Sequence, residues 1–175
     1  PLAGVAVVAQ GSLAAGERGH GGDLDLLFLH DHSDEALTSG GKRGAIPAGE
    51  YAVRLAQRTL SLLSSSHDAG PGYAIDTRLR PSGAQGVLVT TRLSFVAYHR
   101  TSASWERQAL LRARPVAGDP ALRATLHEDI AAIAYTRGPA DLGELRRLRA
   151  RMELELGREV GHAHGEHRLA HGAAQ

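Results

Sequence analysis

The sequence predicts an α+β domain, in which a small central sheet is flanked by helices and followed by a helical extension. Two patterns predict this class. Short apolar runs typical of strands dominate the chain before residue 93, and apolar residues at helical spacing dominate it afterwards. With 42% hydrophobic residues, the 175-residue chain can also bury a core of useful size.

The first two strands come from apolar runs near the start of the chain. Val5–Ala9 (VAVVA) is a β-branched run typical of a buried strand. Leu24–His30 has apolar residues on both faces, which predicts a central strand covered on both sides. The glycine-rich residues 11–22 between them and the polar residues 32–49 after them are expected to form loops.

A helix and two further strands complete the first half. Pro47 suits the first position of a helix that carries an apolar stripe through about Ser64. Alternation predicts a strand from Tyr73 to Leu79, and a turn follows at residues 80–83. Val87–Thr91 is a further strand-like run.

From Ser94 onward the chain is expected to be largely helical. Ser94 is expected to cap one helix, Asp119 a second and Asp141 a third. The chain then divides near Leu93 into a core at residues 1–93, a helical extension at 94–157 and a flexible tail at 158–175. Four tail histidines resemble metal ligands, but the glycines among them favour a solvated segment: His162, His164, His167 and His171.

Composition narrows the function classes. The 20 basic and 19 acidic residues give a net charge of +1, which disfavours a nucleic-acid-binding protein. There is no cysteine, so disulfides, thiol nucleophiles and Cys-ligated zinc are excluded. No apolar run reaches the length that spans a bilayer, and the first ten residues make a poor signal peptide. We expect a fragment of a longer cytoplasmic chain.

Three carboxylates carry the most informative chemical signal. Asp23 and Asp25 are two residues apart at a strand, so their side chains point to the same face. If the strand containing Asp76 pairs with this one, its carboxylate joins them. Clustered acids repel one another unless a cation lies between them, and Mg²⁺ prefers such oxygen ligands. The alternative to a metal site is an ordinary strand whose polar face is exposed to water, but the apolar neighbours of these acids disfavour it.

Three such acids holding two metal ions suit nucleotidyl transfer, because one ion can activate the attacking oxygen while the other neutralises pyrophosphate. Gly11 and Ser12 follow the first strand, where small residues let backbone N–H groups approach a triphosphate.

These motifs resemble the DNA polymerase β-type nucleotidyltransferase superfamily and, within it, the glutamine synthetase adenylyltransferase family. The signature is a Gly-Ser pair, a spacer of ten residues and then Asp-x-Asp. The similar stretches, in the family's order, are GSLAAGERGHGGDLDLLFLHD (11–31), YAVRLAQR (51–58), IDTRLRPSG (75–83) and SWERQALLRARPVAGDP (104–120). The sequence departs from the family at Ala14 and Ala15, where two glycines are usual, and at Gly22, where serine is usual.

The resemblance implies a nucleotidyltransferase fold and a Mg²⁺-dependent transfer of AMP from ATP to a tyrosine of glutamine synthetase, with release of pyrophosphate, in the control of nitrogen assimilation. Asp23, Asp25 and Asp76 would bind the metal, and Gly11 and Ser12 the phosphates. The blocks look more like the adenylylating domain of the family's bifunctional enzymes. A nitrogen-signalling protein would act only through parts of the full enzyme outside these residues.

Three alternatives remain open. The chain could be the paralogous domain that removes AMP by phosphorolysis, a nucleotidyltransferase with another acceptor, or a non-catalytic module that retains the fold. The three intact acids disfavour the last of these.

Arginines and one tryptophan have two interpretations each. By alternation, Arg78 and Arg80 share the face of Asp76, where they could bind phosphate or form structural ion pairs. The arginines near Trp105 are interpreted as packing and surface residues of a helix, and Trp105 itself as a core residue rather than an adenine platform. Glu17 is expected to anchor the loop before the acids.

Overall fold

The structure is a computed structural model that describes residues 4–19, 21–42, 44–66, 68, 70–135 and 142–154. The chain divides into two compact units, Pro1–Gly138 and Pro139–Gln175. The elements of the first unit are β1 (Val5–Ala9), α1 (Gly11–Ala15), β2 (Leu24–His30), α2 (Ala48–Ser64), β3 (Ile75–Asp76), a 3₁₀ turn (Gly83–Gln85), β4 (Val89–Thr91), α3 (Arg92–Thr101), α4 (Ser104–Leu110), β5 (Arg114–Gly118) and α5 (Pro120–Tyr135).

In the second unit, residues 142–154 are helical, in agreement with the predicted last helix. Arg149 Nε lies 2.9 Å from Glu153 Oε1, one turn further along this helix. The predicted cap Asp141 and the four tail histidines lie outside the described residues.

The sheet of the first unit is mixed, with the order β3-β2-β1-β5. β1 runs antiparallel to both of its neighbours, β2 and β5. β3 and β4 both pair with the other side of β2 and run parallel to it, with β3 beside its first residues and β4 beside its last. The predicted α+β class is confirmed.

Alternation along β1 and β2 sends apolar side chains to two opposite faces. On one face, which we name the α5 face, Ala6, Val8, Leu27 and Leu29 pack with residues of α3, α4 and α5. On the other, the α2 face, the packing partners come from α2 and β4; the sheet residues there are Val5, Leu24, Leu26 and Phe28. The predicted central, doubly covered position of β2 is confirmed.

Three predicted elements differ from those observed. β3 is limited to Ile75–Asp76 rather than Tyr73–Leu79, because the chain turns back at Asp76. Helix α3 begins at Arg92, and its cap is the Thr91 side chain, whose Oγ1 accepts from the Ser94 N–H at 3.1 Å. Residues 11–15, expected to be loop, form the short helix α1.

The second half is largely helical, as predicted, but Arg114–Gly118 forms a strand that was not predicted, β5, beside β1. The cap predicted at Asp119 is confirmed, since its Oδ1 accepts from the Leu122 N–H at 2.9 Å. The division into a core at residues 1–93, an extension at 94–157 and a flexible tail at 158–175 stays a prediction; the compact unit observed here is Pro1–Gly138. Among the described helices, none combines the length and apolar character needed to cross a membrane.

Candidate active site

The three predicted acids lie at the edge of the sheet where β2 and β3 run side by side. Asp25 and Asp76 are direct partners in the parallel register of these two strands, and Asp23 precedes β2 by one residue. Neighbouring strands are about 4.8 Å apart, so the two partnered carboxylates are close neighbours. The pairing on which the sequence prediction depended is therefore present.

The acids share the α5 face of the sheet. Asp25 alternates with Leu27 and Leu29, which both point to that face. Gln10, which follows β1, donates its backbone N–H to the Asp25 carbonyl at 3.0 Å and so lies opposite it. Asp23 is exposed and Asp25 half-buried. The cluster therefore opens to solvent on one side and borders the core on the other.

The two partnered carboxyls have opposite pKa shifts. Burial raises the pKa of Asp25, and the neighbouring carboxylates of Asp76 and Asp23 raise it further, against a smaller lowering by Arg78. The pKa of Asp76 is lowered, chiefly by the side-chain hydrogen bonds from Arg78. A proton entering the pair therefore goes to Asp25 first.

Arg78 is the ion partner of Asp76. Its Nη2 lies 2.6 Å from Asp76 Oδ2, and its Nε lies 3.0 Å and 2.9 Å from the two carboxylate oxygens. The Arg78 backbone N–H also donates to Oδ1 at 2.7 Å. The ion-pair interpretation of Arg78 is thus present in the structure. Because its side chain is 74% exposed, the guanidinium is not fixed in that position by packing.

Arg80 does not lie on the face of Asp76, where alternation along the strand had predicted it. Alternation does not apply beyond Asp76, because β3 ends there. All three guanidinium nitrogens of Arg80 donate to the turn that follows: to the carbonyls of Thr77, Ala84 and Gly86 at 2.7–3.3 Å, and to Thr77 Oγ1 at 2.9 Å. Arg80 therefore holds the 77–86 segment in shape. Its predicted phosphate-binding role stays a prediction.

Gly11 lies against the acid cluster at the start of α1. Its φ of +55° is in the left-handed region, and a Cβ at this position would collide with Asp25 Oδ2. A side chain at this position would therefore strain the backbone and push the Asp25 carboxylate aside. Ser12 follows in α1, and its carbonyl accepts from the Glu17 N–H at 3.0 Å.

The loop between α1 and β2 contacts the segment that follows helix α4. Glu17 Oε2 lies 2.9 Å from Nη1 of Arg112, which follows that helix. The anchoring role expected of Glu17 is consistent with this contact. Trp105, in contrast, is 40% exposed on α4, so the expectation that it is a core residue is wrong.

The donor set fits a magnesium ion in its chemistry, because three carboxylates are the oxygen ligands that Mg²⁺ prefers. The repulsion that raises the pKa of Asp25 is also what a cation between the acids relieves. In the part of the chain that the structure describes, however, no three acidic or histidine side chains are arranged to hold a metal ion. Asp76 faces Arg78, which supplies the positive charge at that position.

Sequence reasoning missed Gln10. Its side chain is 2% exposed, and its Oε1 is buried without a hydrogen-bond partner among the described residues. The available signal was an amide side chain placed directly between an apolar strand and the Gly-Ser pair.

Comparison with known proteins gives consistent matches. The sequence profile of the family described as glutamate-ammonia ligase adenylyltransferase matches residues 1–129. A bifunctional glutamine synthetase adenylyltransferase/adenylyl-removing enzyme from Xanthomonas campestris pv. campestris (strain B100) is 46% identical over 161 residues, which are 90% of this chain and 17% of the relative. The enzyme of the same name from Xanthomonas oryzae pv. oryzae (strain MAFF 311018) is 46% identical over 160 residues, 87% of this chain and 16% of that protein. The chain thus spans about a sixth of the length of these curated relatives.

Proposed function

Because this chain belongs to the glutamate-ammonia ligase adenylyltransferase family, we propose that it transfers AMP from ATP to a tyrosine hydroxyl of glutamine synthetase and releases pyrophosphate. The single observation that carries the proposal is the pairing of Asp25 with Asp76 at the β2–β3 edge, beside Asp23. The names of the relatives support the acceptor.

In this proposal Asp23, Asp25 and Asp76 hold Mg²⁺. When bound, the metal offsets the negative charge that develops on the phosphates during transfer. The tyrosine oxygen bonds to the α-phosphorus, the bond from that phosphorus to pyrophosphate breaks, and the hydroxyl proton is released. Through the Mg²⁺ that they would hold, the three acids would fix the position of the α-phosphate beside the acceptor, since positioning carries most of the catalysis in such transfers.

Arg78 has a second role in this proposal. In the structure its guanidinium neutralises Asp76. Because the side chain is largely exposed, it can leave that carboxylate and bind phosphate oxygens with the same planar fork. Arg78 then exchanges one anion for another as the nucleotide binds. Gly11 and Ser12 hold phosphate oxygens from the neighbouring backbone.

The experiment is incubation with α-labelled ATP, Mg²⁺ and unmodified glutamine synthetase. We expect label on the synthetase, and a loss of about a hundredfold or more in the Asp23→Asn/Asp25→Asn variant, because the metal loses two ligands. The matched control is Asp34→Asn/Asp68→Asn, which makes the same charge change at two exposed positions and should keep the activity. Equal labelling by both variants contradicts the assignment of the acids.

A second candidate is the removal of AMP, favoured by the relatives' names, which join both activities. The same acids serve it, with orthophosphate attacking the adenylylated tyrosine and releasing ADP. Incubation of the chain with adenylylated synthetase and orthophosphate distinguishes the two: ADP release without forward labelling identifies the removing domain.

A further inference from the structure

A cleft lies beside the acid cluster, between the turn after β3 and helices α3 and α4. It encloses about 60 Å³ and is partly open to solvent, so a flat ring would enter it by one edge rather than be fully enclosed. We name it the Trp105 cleft; the residues that matter here are Gln10, Arg78, Tyr98, His99, Trp105 and Glu106. Arg78 also binds Asp76, so the cleft and the acid cluster are contiguous.

Gln10, which lines the cleft, has a buried side-chain oxygen without a partner among the described residues. Gln10 is 2% exposed, and its Oε1 accepts no hydrogen bond from any residue that the structure describes. A buried acceptor left in this state is destabilising, so it is rare in native structures unless a ligand uses it. The occupant of the cleft should therefore bring a hydrogen-bond donor to Gln10.

The walls favour a flat aromatic group. Trp105, which is the only tryptophan in the sequence, is 40% exposed. An exposed indole ring can stack on another aromatic ring. Tyr98 lies near it, and its hydroxyl donates to Glu106 Oε1 at 3.1 Å. Arg78 also lines the cleft, and its exposed guanidinium favours an anion attached to the ring.

These features discriminate between the two aromatic groups of the proposed reaction. A tyrosine has a single polar atom on its ring, and that oxygen must point to the α-phosphorus rather than to buried Gln10. Adenine has its exocyclic amine at the edge away from the sugar and phosphates. Its amine can therefore point inward to Gln10 while the phosphates point outward to the acids.

We propose that the Trp105 cleft binds the adenine base of ATP, with Gln10 Oε1 accepting a hydrogen bond from the exocyclic amine and Trp105 contacting the ring. The proposal rests on the proposed function, since it assumes that an adenine nucleotide is the substrate. Gln10 is in this view a specificity-determining residue, which selects the base and takes no part in the chemistry.

The test uses the fluorescence of Trp105, which reports on the cleft alone because no other tryptophan is present. The chain is titrated with ATP, with ITP, which has a carbonyl oxygen in place of the amine, and with inorganic triphosphate, which has no base. We expect ATP to change the Trp105 emission and ITP to bind about tenfold more weakly, the value of one hydrogen bond. Triphosphate should bind without that change in emission.

Gln10→Met removes the amide while keeping the length and burial of the side chain, so ATP and ITP should then bind equally. The matched control is Gln57→Met on the exposed surface of α2, which should keep the preference for ATP. Equal binding of ATP and ITP by the unmodified chain overturns the proposal. So does a preference for ATP that survives in Gln10→Met.

Two further outcomes separate this proposal from the proposed function. If the chain labels glutamine synthetase but N-acetyltyrosinamide, rather than ATP, changes the Trp105 emission, the cleft holds the acceptor ring and the adenine proposal is refuted alone. If ATP binds with a preference that depends on Gln10 but no AMP is transferred or removed, the cleft assignment is supported and the proposed function fails.

Discussion

Gly11 passes so close to Asp25 that any side chain would displace the carboxylate. Its φ of +55° adds strain for any residue with a Cβ. We expect Gly11→Ala to cost about 1–2 kcal/mol of stability from the backbone conformation and to abolish AMP transfer by moving the Asp25 carboxylate. Urea denaturation and the labelling assay measure the two effects separately.

Gly16→Ala is the matched control for this prediction. Gly16 has a φ of +73°, but a Cβ there would meet nothing within 4 Å. The two variants should lose similar stability, and only Gly11→Ala should lose activity. Equal AMP transfer by the two variants would show that the close approach of the Gly11 backbone to the Asp25 carboxylate is not needed for activity.

At the level of residues, the sequence predicted which acids meet, and it gave the ion pair of Arg78 with Asp76 as one of two alternatives. Alternation in an apolar strand was enough to place Asp23 and Asp25 on one face. The pairing of Arg78 with Asp76 depends on a turn immediately after Asp76, and alternation cannot represent a turn. Gln10 was missed because a single amide has no pattern; only its burial without a partner distinguishes it.

Helix α3 buries a titratable ring in its packed face. His99 is 6% exposed and lies one turn after Phe95, with the ring centroids 4.6 Å apart. Burial lowers the pKa of His99 from 6.5 to about 4. The folded state therefore binds fewer protons than the unfolded state between these values. The contribution of buried, neutral His99 to the free energy of unfolding is therefore complete above pH 6.5 and is lost as the pH falls towards 4.

From this helix we predict a pH-dependent loss of stability. Between pH 7 and pH 5, burial of neutral His99 should account for a fall of about 2 kcal/mol in the free energy of unfolding. His99→Gln should remove that part of the fall, whereas His127→Gln, at an exposed position of α5, should keep it. Urea denaturation at the two pH values measures it. An identical pH response in all three proteins would mean that His99 is protonated without penalty.

At the level of elements, the strong apolar patterns of β1, β2, α2 and α5 predicted these elements correctly. The weaker local patterns at β5 and at the start of α3 did not. β5 was missed because Pro115 and Gly118 disfavour a strand in isolation. Pairing with β1 overrides that local preference, and a local pattern does not contain the partner. The N-cap of α3 moved from Ser94 to Thr91 because either hydroxyl could serve, and the end of β4 decides between them.

The whole first unit depends on residues beyond 93. Most of the core on the α5 face comes from that region: Phe95, Leu110, Ala113, Leu122, Leu126, Ile130 and Ile133. Each large apolar side chain in such a core contributes about 1.5–3 kcal/mol, so together they are comparable to the roughly 5–15 kcal/mol of a whole domain.

We therefore predict that a chain ending at residue 93 does not fold, although it includes all three acids. A chain ending at residue 138 should fold, because it contains the complete compact unit. Thermal unfolding followed by circular dichroism should show a cooperative transition only for the longer form. A cooperative transition in residues 1–93 would instead support the predicted core as an independent domain.

The position of β1 also matters while the polypeptide is being synthesised. Its partner β5 comes more than a hundred residues later, and the Gly4 N–H and the Asp119 carboxylate that meet at this junction are 115 positions apart. Until β5 leaves the ribosome, the strand VAVVA has an open edge of unpaired N–H and C=O groups, the kind of edge that recruits other strands. Such distant pairing also slows folding. The β1 edge of the nascent chain is therefore open to pairing with other strands throughout the interval between the synthesis of β1 and that of β5.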